Sequence, residues 1–423
     1  MSDVLRSGPA RLALGTAVMA VLLTSCTLPG TQGAGGTGRV GSGRPATEPP
    51  PKVSITPNDQ AKDVALDSVV AVATSTGRLD SVTVQEAGVA SAPTGTLSDD
   101  GRSWRLDEGL DPGAHYTIAA RATSTAGAIT TANASFSTMT AHGRLITSVT
   151  PGDGSTVGVG EPIGLRFNTP IAPDRRATLL ERIRVESTPG ALGAWHWFSD
   201  TAVHFRTRDY WPAGATVTIT ANLKGFDAGN GVWGLGDWSQ SFTVGDKHVS
   251  IVDDNTHQMQ VFNNDQLIST WPVSMGKAGF RTIGGTLIVL TKVYKVYMDS
   301  CATFGGADCI AGSTNFYADY VYWDTAISTT GYFIHAAPWS VWAQGRLDVS
   351  HGCINISPER ATTFYNFSRV GDVVVVQNTG YAATAEDGEG DWQIDFSQLS
   401  NTTGYGNVWT GAQASTSPGG RIS

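Results

Sequence analysis

Pro212-Ala213-Gly214-Ala215-Thr216-Val217-Thr218-Ile219 sets a Pro/Gly turn ahead of an alternating, β-branched run. That is the pattern of a strand with one buried face. The same text stands earlier as Pro112-Gly113-Ala114-His115-Tyr116-Thr117-Ile118. Two further echoes keep the same order: Ile55-Thr56-Pro57 with Val149-Thr150-Pro151, and Ser135-Phe136-Ser137-Thr138 with Ser241-Phe242-Thr243-Val244. Offsets of 94 to 106 residues imply two copies of one unit about a hundred residues long. Val69-Val70-Ala71-Val72 and Ile163-Gly164-Leu165-Arg166-Phe167 add short alternating runs between turn signals, so each copy is expected to be a β-sandwich.

The Cys…Trp…Cys spacing of antibody domains is missing from both copies, so "immunoglobulin-like" describes architecture only. The whole chain has 423 residues, enough for about three domains. Its 40% hydrophobic content supports packed cores and excludes wholesale disorder. A net charge of -9 with no Lys/Arg run argues against nucleic-acid binding, which rests on phosphate neutralisation. Only 15% of residues are charged and 50 are Gly, a texture that suits an exported, mainly β protein.

The first residues read as an address. Arg6 and Arg11 precede an apolar stretch from Leu12 to Leu23 that is too short to span a bilayer. It ends in Leu23-Thr24-Ser25-Cys26, which resembles the bacterial lipobox and implies a lipid on Cys26. The expected location is outside the cytoplasmic membrane, anchored to it by that lipid. Residues 27–50 are rich in Gly, Thr and Pro and are expected to form a flexible tether with an r.m.s. span of about 27 Å.

The two sandwiches carry little that reads as chemistry. His196 and His204 lie among Trp195, Trp197 and Phe198 without an HExxH or CxxC companion, so they read as ordinary strand histidines. Asp227, Asn230 and Gly231 form a weak Ca²⁺ candidate, because the loop offers one carboxylate where tight sites use several. No other metal and no cofactor is implied.

After Gly245 the texture changes. Strand-like runs at 249–261, 286–298, 331–336 and 372–377 precede or flank one clear helix, opened by Ser357-Pro358-Glu359 as N-cap, N1 and first-turn acid. Ala361, Phe364 and Phe367 are its expected inward face. Just before it stands Ser350-His351-Gly352-Cys353-Ile354-Asn355, with His335 eighteen residues upstream of the Cys at the end of an apolar strand. A thiol is a strong nucleophile only as thiolate, which needs a nearby imidazole or other positive group. His335 is placed to supply it, and the amides of Gly352 and Cys353, if turned inward, make an oxyanion hole. The other reading is that Cys353 is half of a disulfide.

These residues resemble the signature of the L,D-transpeptidase catalytic domain, closely the actinobacterial lipoprotein members with two immunoglobulin-like domains ahead of it. Ser274-Met275-Gly276-Lys277, Met298-Asp299-Ser300, His335-Ala336-Ala337-Pro338-Trp339-Ser340 and Asp387-Gly388-x-Gly390-Asp391-Trp392 match the family's text, and the resemblance covers about residues 52–400. It implies a cysteine acyltransferase on peptidoglycan. Cys353 attacks the third-position diaminopimelyl carbonyl of a tetrapeptide stem and D-Ala leaves. A diaminopimelyl acceptor amine then resolves the thioester into a 3→3 cross-link. His335 is the implied base, with Ser350, His351 and Gly352 in the catalytic motif. Tyr317, Thr330, Gly331, Asn355 and Met298 are the implied substrate contacts. The family also implies acylation of Cys353 by carbapenems. Position 336 is Ala where relatives often carry Ser, so a main-chain carbonyl there is left to fix the His335 tautomer. The S-x-x-K at Ser274–Lys277 is set aside, because no Lys-Thr-Gly element accompanies it and its context is strand-to-turn.

Cys301 and Cys309, eight apart around Gly305-Gly306, are expected to pair with each other, closing a loop worth about 2.5 kcal/mol. Pairing of either with Cys353 would remove the nucleophile. In relatives this segment covers the active site as a lid, so the disulfide is expected to stiffen it. The predicted order is signal peptide 1–26, tether 27–50, sandwiches 51–144 and 145–245, and catalytic domain 246–378. A carboxy-terminal extension at 379–401 is expected to pack on the catalytic domain, and a tail at 402–423 to lack structure. Two alternatives stand beside this: a non-catalytic wall-binding lipoprotein with a decayed enzyme domain, and an L,D-carboxypeptidase using the same site.

Overall fold

The echoed runs become equivalent strands of two sandwiches. His115–Thr123 lies between Arg78–Glu86 and Ile129–Thr138, and Thr216–Ala221 lies between Ile183–Thr188 and Trp238–Val244, all antiparallel. Ahead of each Thr-Pro, Val53–Thr56 pairs with Ala71–Thr74, and Thr147–Thr150 pairs with Ile163–Phe167. Period-two alternation sets the burial: Tyr116, Ile118, Ala120 and Ala122 point into the first core while their neighbours face out. Each large side chain buried in this way contributes about 1.5–3 kcal/mol. The computed structural model describes residues 49–303, 306, 310–313, 315–388, 390–402, 405–412 and 421–422. The predicted signal peptide, Cys26, nearly all of the tether, and Cys309 lie outside the described residues.

The third unit has two sheets. One is five-stranded, in the order Gln266–Pro272, Gln258–Asn263, His248–Asp253, Val373–Gln377 and Gly285–Ile288. The other is four-stranded, in the order Thr291–Asp299, Ala318–Ala326, Phe333–Ala336 and Ile354–Ile356. The predicted helix is Pro358–Phe367, and the Ser357 side chain accepts the Arg360 N–H at its start. Its Ala361 and Phe364 pack into one core with Ile334, Ile354, Ile356 and Val374.

The five-stranded sheet also joins the second sandwich. Ile288 and Val373 belong to the core of that sandwich, with Val249 and Val375 packed against it. Gly158 permits this approach, since a Cβ there would lie 2.1 Å from the Asp372 nitrogen. The third unit is therefore seated on the second sandwich through shared apolar side chains.

The carboxy-terminal stretch extends one expectation and corrects another. The segment expected to pack on the third unit also bridges to the second sandwich: Asp391 bonds His204 at 3.0 Å, and the Trp392 indole donates to Gly160 O. The tail expected to lack structure contributes a strand, Asn407–Trp409, that pairs with Leu192–Ala194 and extends the sandwich sheet. An edge strand offers unpaired backbone groups, and this segment satisfies them. His204 is thus a structural tie, and Asp227 is also structurally engaged. Its carboxylate sits 2.6 Å from Arg175 and accepts the Gly229 N–H, so the weak Ca²⁺ candidate is an ion-paired turn.

Candidate active site

The site is built where strand Phe333–Ala336 runs parallel to Ile354–Ile356, with His335 beside Asn355. Cys353 leads into the second of these strands. Together they open onto a cavity of 580 Å³ that brings together Met298, Tyr317, Thr330, Gly331, His335, Ser350, His351, Cys353 and Asn355. Phe316, Asp319, Val321, Tyr332, Phe333, Trp339 and Val349 line it as well. Among the predicted site residues of the motif, Gly352 stands behind the wall.

The turn carrying the thiol is held by its own residues. Gly352 has φ +125°, and a Cβ there would meet the Tyr332 ring at 2.8 Å. Its N–H donates to Ser350 Oγ at 3.0 Å, and Ser350 Oγ donates to Cys353 O at 2.6 Å. The expected inward pairing of the Gly352 and Cys353 amides is therefore corrected. The Gly352 N–H is committed to Ser350, which acts as the staple of the turn. The Ser274–Lys277 loop braces the same turn: Ser350 N–H donates to Met275 O, and Lys277 N–H donates to Ser350 O. Ser274 itself is fully buried and accepts the Val349 N–H, so it is no nucleophile.

His335 is 4% exposed, and its Nδ1 lies 3.0 Å from Ala336 O. A carbonyl can only accept, so Nδ1 carries the proton and Nε2 keeps a lone pair. Burial holds the imidazole below its ordinary pKa. Cys353 is the free cysteine among the described residues, and its thiol reaches Gly331 O at 3.9 Å. Burial pushes the thiol up to about 12, opposed by a hydrogen bond from the Phe333 amide and reinforced by the charge of Asp324. At rest both partners are neutral. The Tyr317 ring lies tilted against His351, with centroids 4.9 Å apart, and Phe280 meets the same imidazole edge-on.

Asp324 escaped the sequence reading. It is 1% exposed, and neither carboxylate oxygen has a hydrogen-bond partner. Tyr322 pairs with Ala336 and Thr325 with Ile334, so Trp323 and Asp324 together stand opposite His335 at a bulge. Burial raises the carboxyl to about 7. The available signal was a lone acid inside the aromatic, β-branched run Tyr320–Ala326.

Among the described residues, Asp254, His257 and Asp348 are close enough to share a metal ion. Arg281 already supplies positive charge there, 3.2 Å from Asp254 and 3.5 Å from Asp348. Asp348 also accepts the Met275 N–H, so the group anchors the bracing loop. No helix among the described residues is long and apolar enough to cross a membrane.

Comparison with known proteins agrees with this construction. Residues 247–376 match the L,D-transpeptidase catalytic domain, and residues 61–227 match a bacterial Ig domain. L,D-transpeptidase 2 of Mycobacterium tuberculosis is 37% identical over 350 residues, spanning 82% of this chain and 84% of that protein. L,D-transpeptidase 5 of Mycobacterium tuberculosis is 30% identical over 356 residues, spanning 82% and 76%. A solved L,D-transpeptidase from Mycobacterium smegmatis is 30% identical, covering 55% of this chain and 99% of that one, with a TM-score of 0.45. With so much of a 37% identical relative covered, the chain belongs to the L,D-transpeptidase family and is a transpeptidase enzyme carrying bacterial Ig-like domains.

Proposed function

We propose that the enzyme forms 3→3 cross-links in peptidoglycan through an acyl-enzyme on Cys353. The observation that carries this reading is the pairing of a free thiol with a tautomer-fixed imidazole in one cavity. His335 Nε2 takes the thiol proton as sulfur adds to the third-position carbonyl of a tetrapeptide stem. Collapse of the tetrahedral adduct breaks the bond to the terminal D-Ala, whose nitrogen receives that proton. The acceptor's side-chain amine then attacks the thioester and gives a proton to His335. The proton returns to sulfur as the new amide forms.

The oxyanion is assigned to the Cys353 amide and the Tyr317 side of the cavity, because the Gly352 N–H is committed to Ser350. Thr330, Gly331, Asn355 and Met298 are the proposed substrate contacts. Carbapenems are proposed to acylate the same sulfur. Water in place of the amine gives the carboxypeptidase reaction from the same intermediate. We further propose a lipid on Cys26 that holds the enzyme outside the cytoplasmic membrane. We also propose that Cys301 pairs with Cys309, a reading consistent with Cys353 being free.

Incubation with tetrapeptide stems followed by mass spectrometry tests the reading. It expects loss of D-Ala, a thioester on Cys353 and 3→3 dimers. Products that persist in Cys353→Ala, or an enzyme that never acylates, would overturn it.

A further inference from the structure

Next to the cavity, residues 338–347 bury some of their small and polar side chains and turn their large apolar ones outward. Ser340, Ala343 and Gln344 are buried, whereas Trp339, Val341, Trp342 and Leu347 are exposed by 51%, 48%, 62% and 54%. The segment is fixed rather than loose. Ser340 and Ala343 N–H groups bond back along the turn, Gly345 N–H donates to Val273 O, and Asn355 Nδ2 donates to Ser340 Oγ at 3.1 Å. A rigid, outward-facing apolar patch of this kind marks a binding surface. Trp339 belongs to both regions, since it lines the cavity and its ring centroid lies 6.1 Å from that of His335. The patch is therefore the continuation of the cavity lip.

From this we infer that Trp342, with Val341 and Leu347, is a platform for the sugar chain of a polymeric donor. The inference rests on the proposed peptidoglycan reaction. In such a donor the lactyl unit and three stem residues lie between the first sugar and the attacked third-residue carbonyl, roughly 14 Å of extended chain, so the sugar must lie outside the cavity. Trp342 follows Trp339 by three residues and is exposed like it, so the apolar surface continues from the cavity lip along the segment. A pyranose offers a face of C–H groups that fits the negative face of an indole, and N-acetyl methyls fit Val341 and Leu347. The only charge within 338–347 is Arg346, so nothing in the patch repels the carboxylates of stem peptides.

The test compares Trp342→Ala with wild type on two substrates, free tetrapeptide stems and uncross-linked glycan strands bearing the same stems. The expected result is a loss of about tenfold in kcat/KM on strands, the scale of an aromatic anchor, with free stems unaffected. Trp342→Phe should recover part of the loss. Binding of stem-free glycan to the Cys353→Ala protein gives a readout independent of catalysis. It should be present with Trp342 and absent in the Cys353→Ala/Trp342→Ala double variant. Equal rates on strands, equal losses on both substrates, or no binding of stem-free glycan would overturn the platform. Concentration-dependent self-association abolished by Trp342→Ala would assign the patch to a second copy and overturn it too. An enzyme inactive on both substrates that still binds stem-free glycan through Trp342 would overturn the proposed reaction and leave the platform standing.

Discussion

The Nδ1 of His335 lies 3.0 Å from the main-chain oxygen of Ala336, the next residue in its own strand. A backbone acceptor fixes the tautomer without any side chain, so the Ala at 336 costs the base nothing. Ala336→Ser should therefore leave the rate of thioester formation unchanged. His335→Gln removes the base and should lower the rate by about 10²–10⁴-fold. Stopped-flow acylation by a carbapenem measures both. A marked gain in Ala336→Ser would show that the hydroxyl, rather than the carbonyl, sets the imidazole.

The resting thiol is neutral, held there by burial that pushes it up to about 12, beside an imidazole held below its ordinary value. Thiolate is the reactive form, so the reactivity of the free enzyme should track its small thiolate fraction. Iodoacetamide should alkylate Cys353 at pH 8 more slowly than it alkylates free cysteine. The rate should keep climbing through pH 10. A plateau reached below pH 8 would reveal a preformed thiolate–imidazolium pair and sink this reading.

Asp324 carries an expected stability effect whose sign is fixed. Its carboxyl is raised from 3.8 to about 7, so between those values the folded state holds more protons than the unfolded one. Stability therefore falls as pH rises from 4 to 7 and stays low above it. Asp324→Asn should stabilise the protein above pH 7 by up to about 4 kcal/mol, with the gain vanishing near pH 4. Urea unfolding at pH 4.5, 6 and 8 measures it. The same variant removes a charge that raises the Cys353 thiol, so alkylation should become faster at alkaline pH.

The sandwiches were legible because alternation and turn chemistry act locally: the echoed Pro/Gly turns and β-branched runs return as equivalent strands. That Cys353 and His335 open onto one cavity was legible because few residue types can do nucleophilic work, which singled them out, and they stood near each other in the sequence. The direction of the Gly352 amide was not, since it depends on Ser350 Oγ and on Tyr332, which comes from another part of the chain. Asp324 was hidden for a related reason. Its meaning comes from a bulge that sets it opposite His335, and a bulge depends on the partner strand. Asn407–Trp409 is too short to show a period, and it becomes a strand because Leu192–Ala194 presents an edge.

That last strand yields the remaining prediction. Tyr405 is 1% exposed and Val408 is fully buried, and both belong to the core of the second sandwich. Thr410 tightens the attachment: its Oγ1 lies 2.5 Å from Ser187 Oγ, and its N–H donates to Ala191 O. The same sandwich core contains Ile288 and Val373 of the catalytic unit. A cavity opened at Tyr405 should therefore loosen the seat of the active-site domain as well. Tyr405→Ala should cost about 3–5 kcal/mol in denaturant unfolding, as truncation of a large buried aromatic does. Tyr381→Ala, at a residue 53% exposed, should stay within about 0.5 kcal/mol of wild type. If Tyr405→Ala were equally mild, the carboxy-terminal strand would be a loose edge with no part in holding the sandwich or the catalytic unit seated on it.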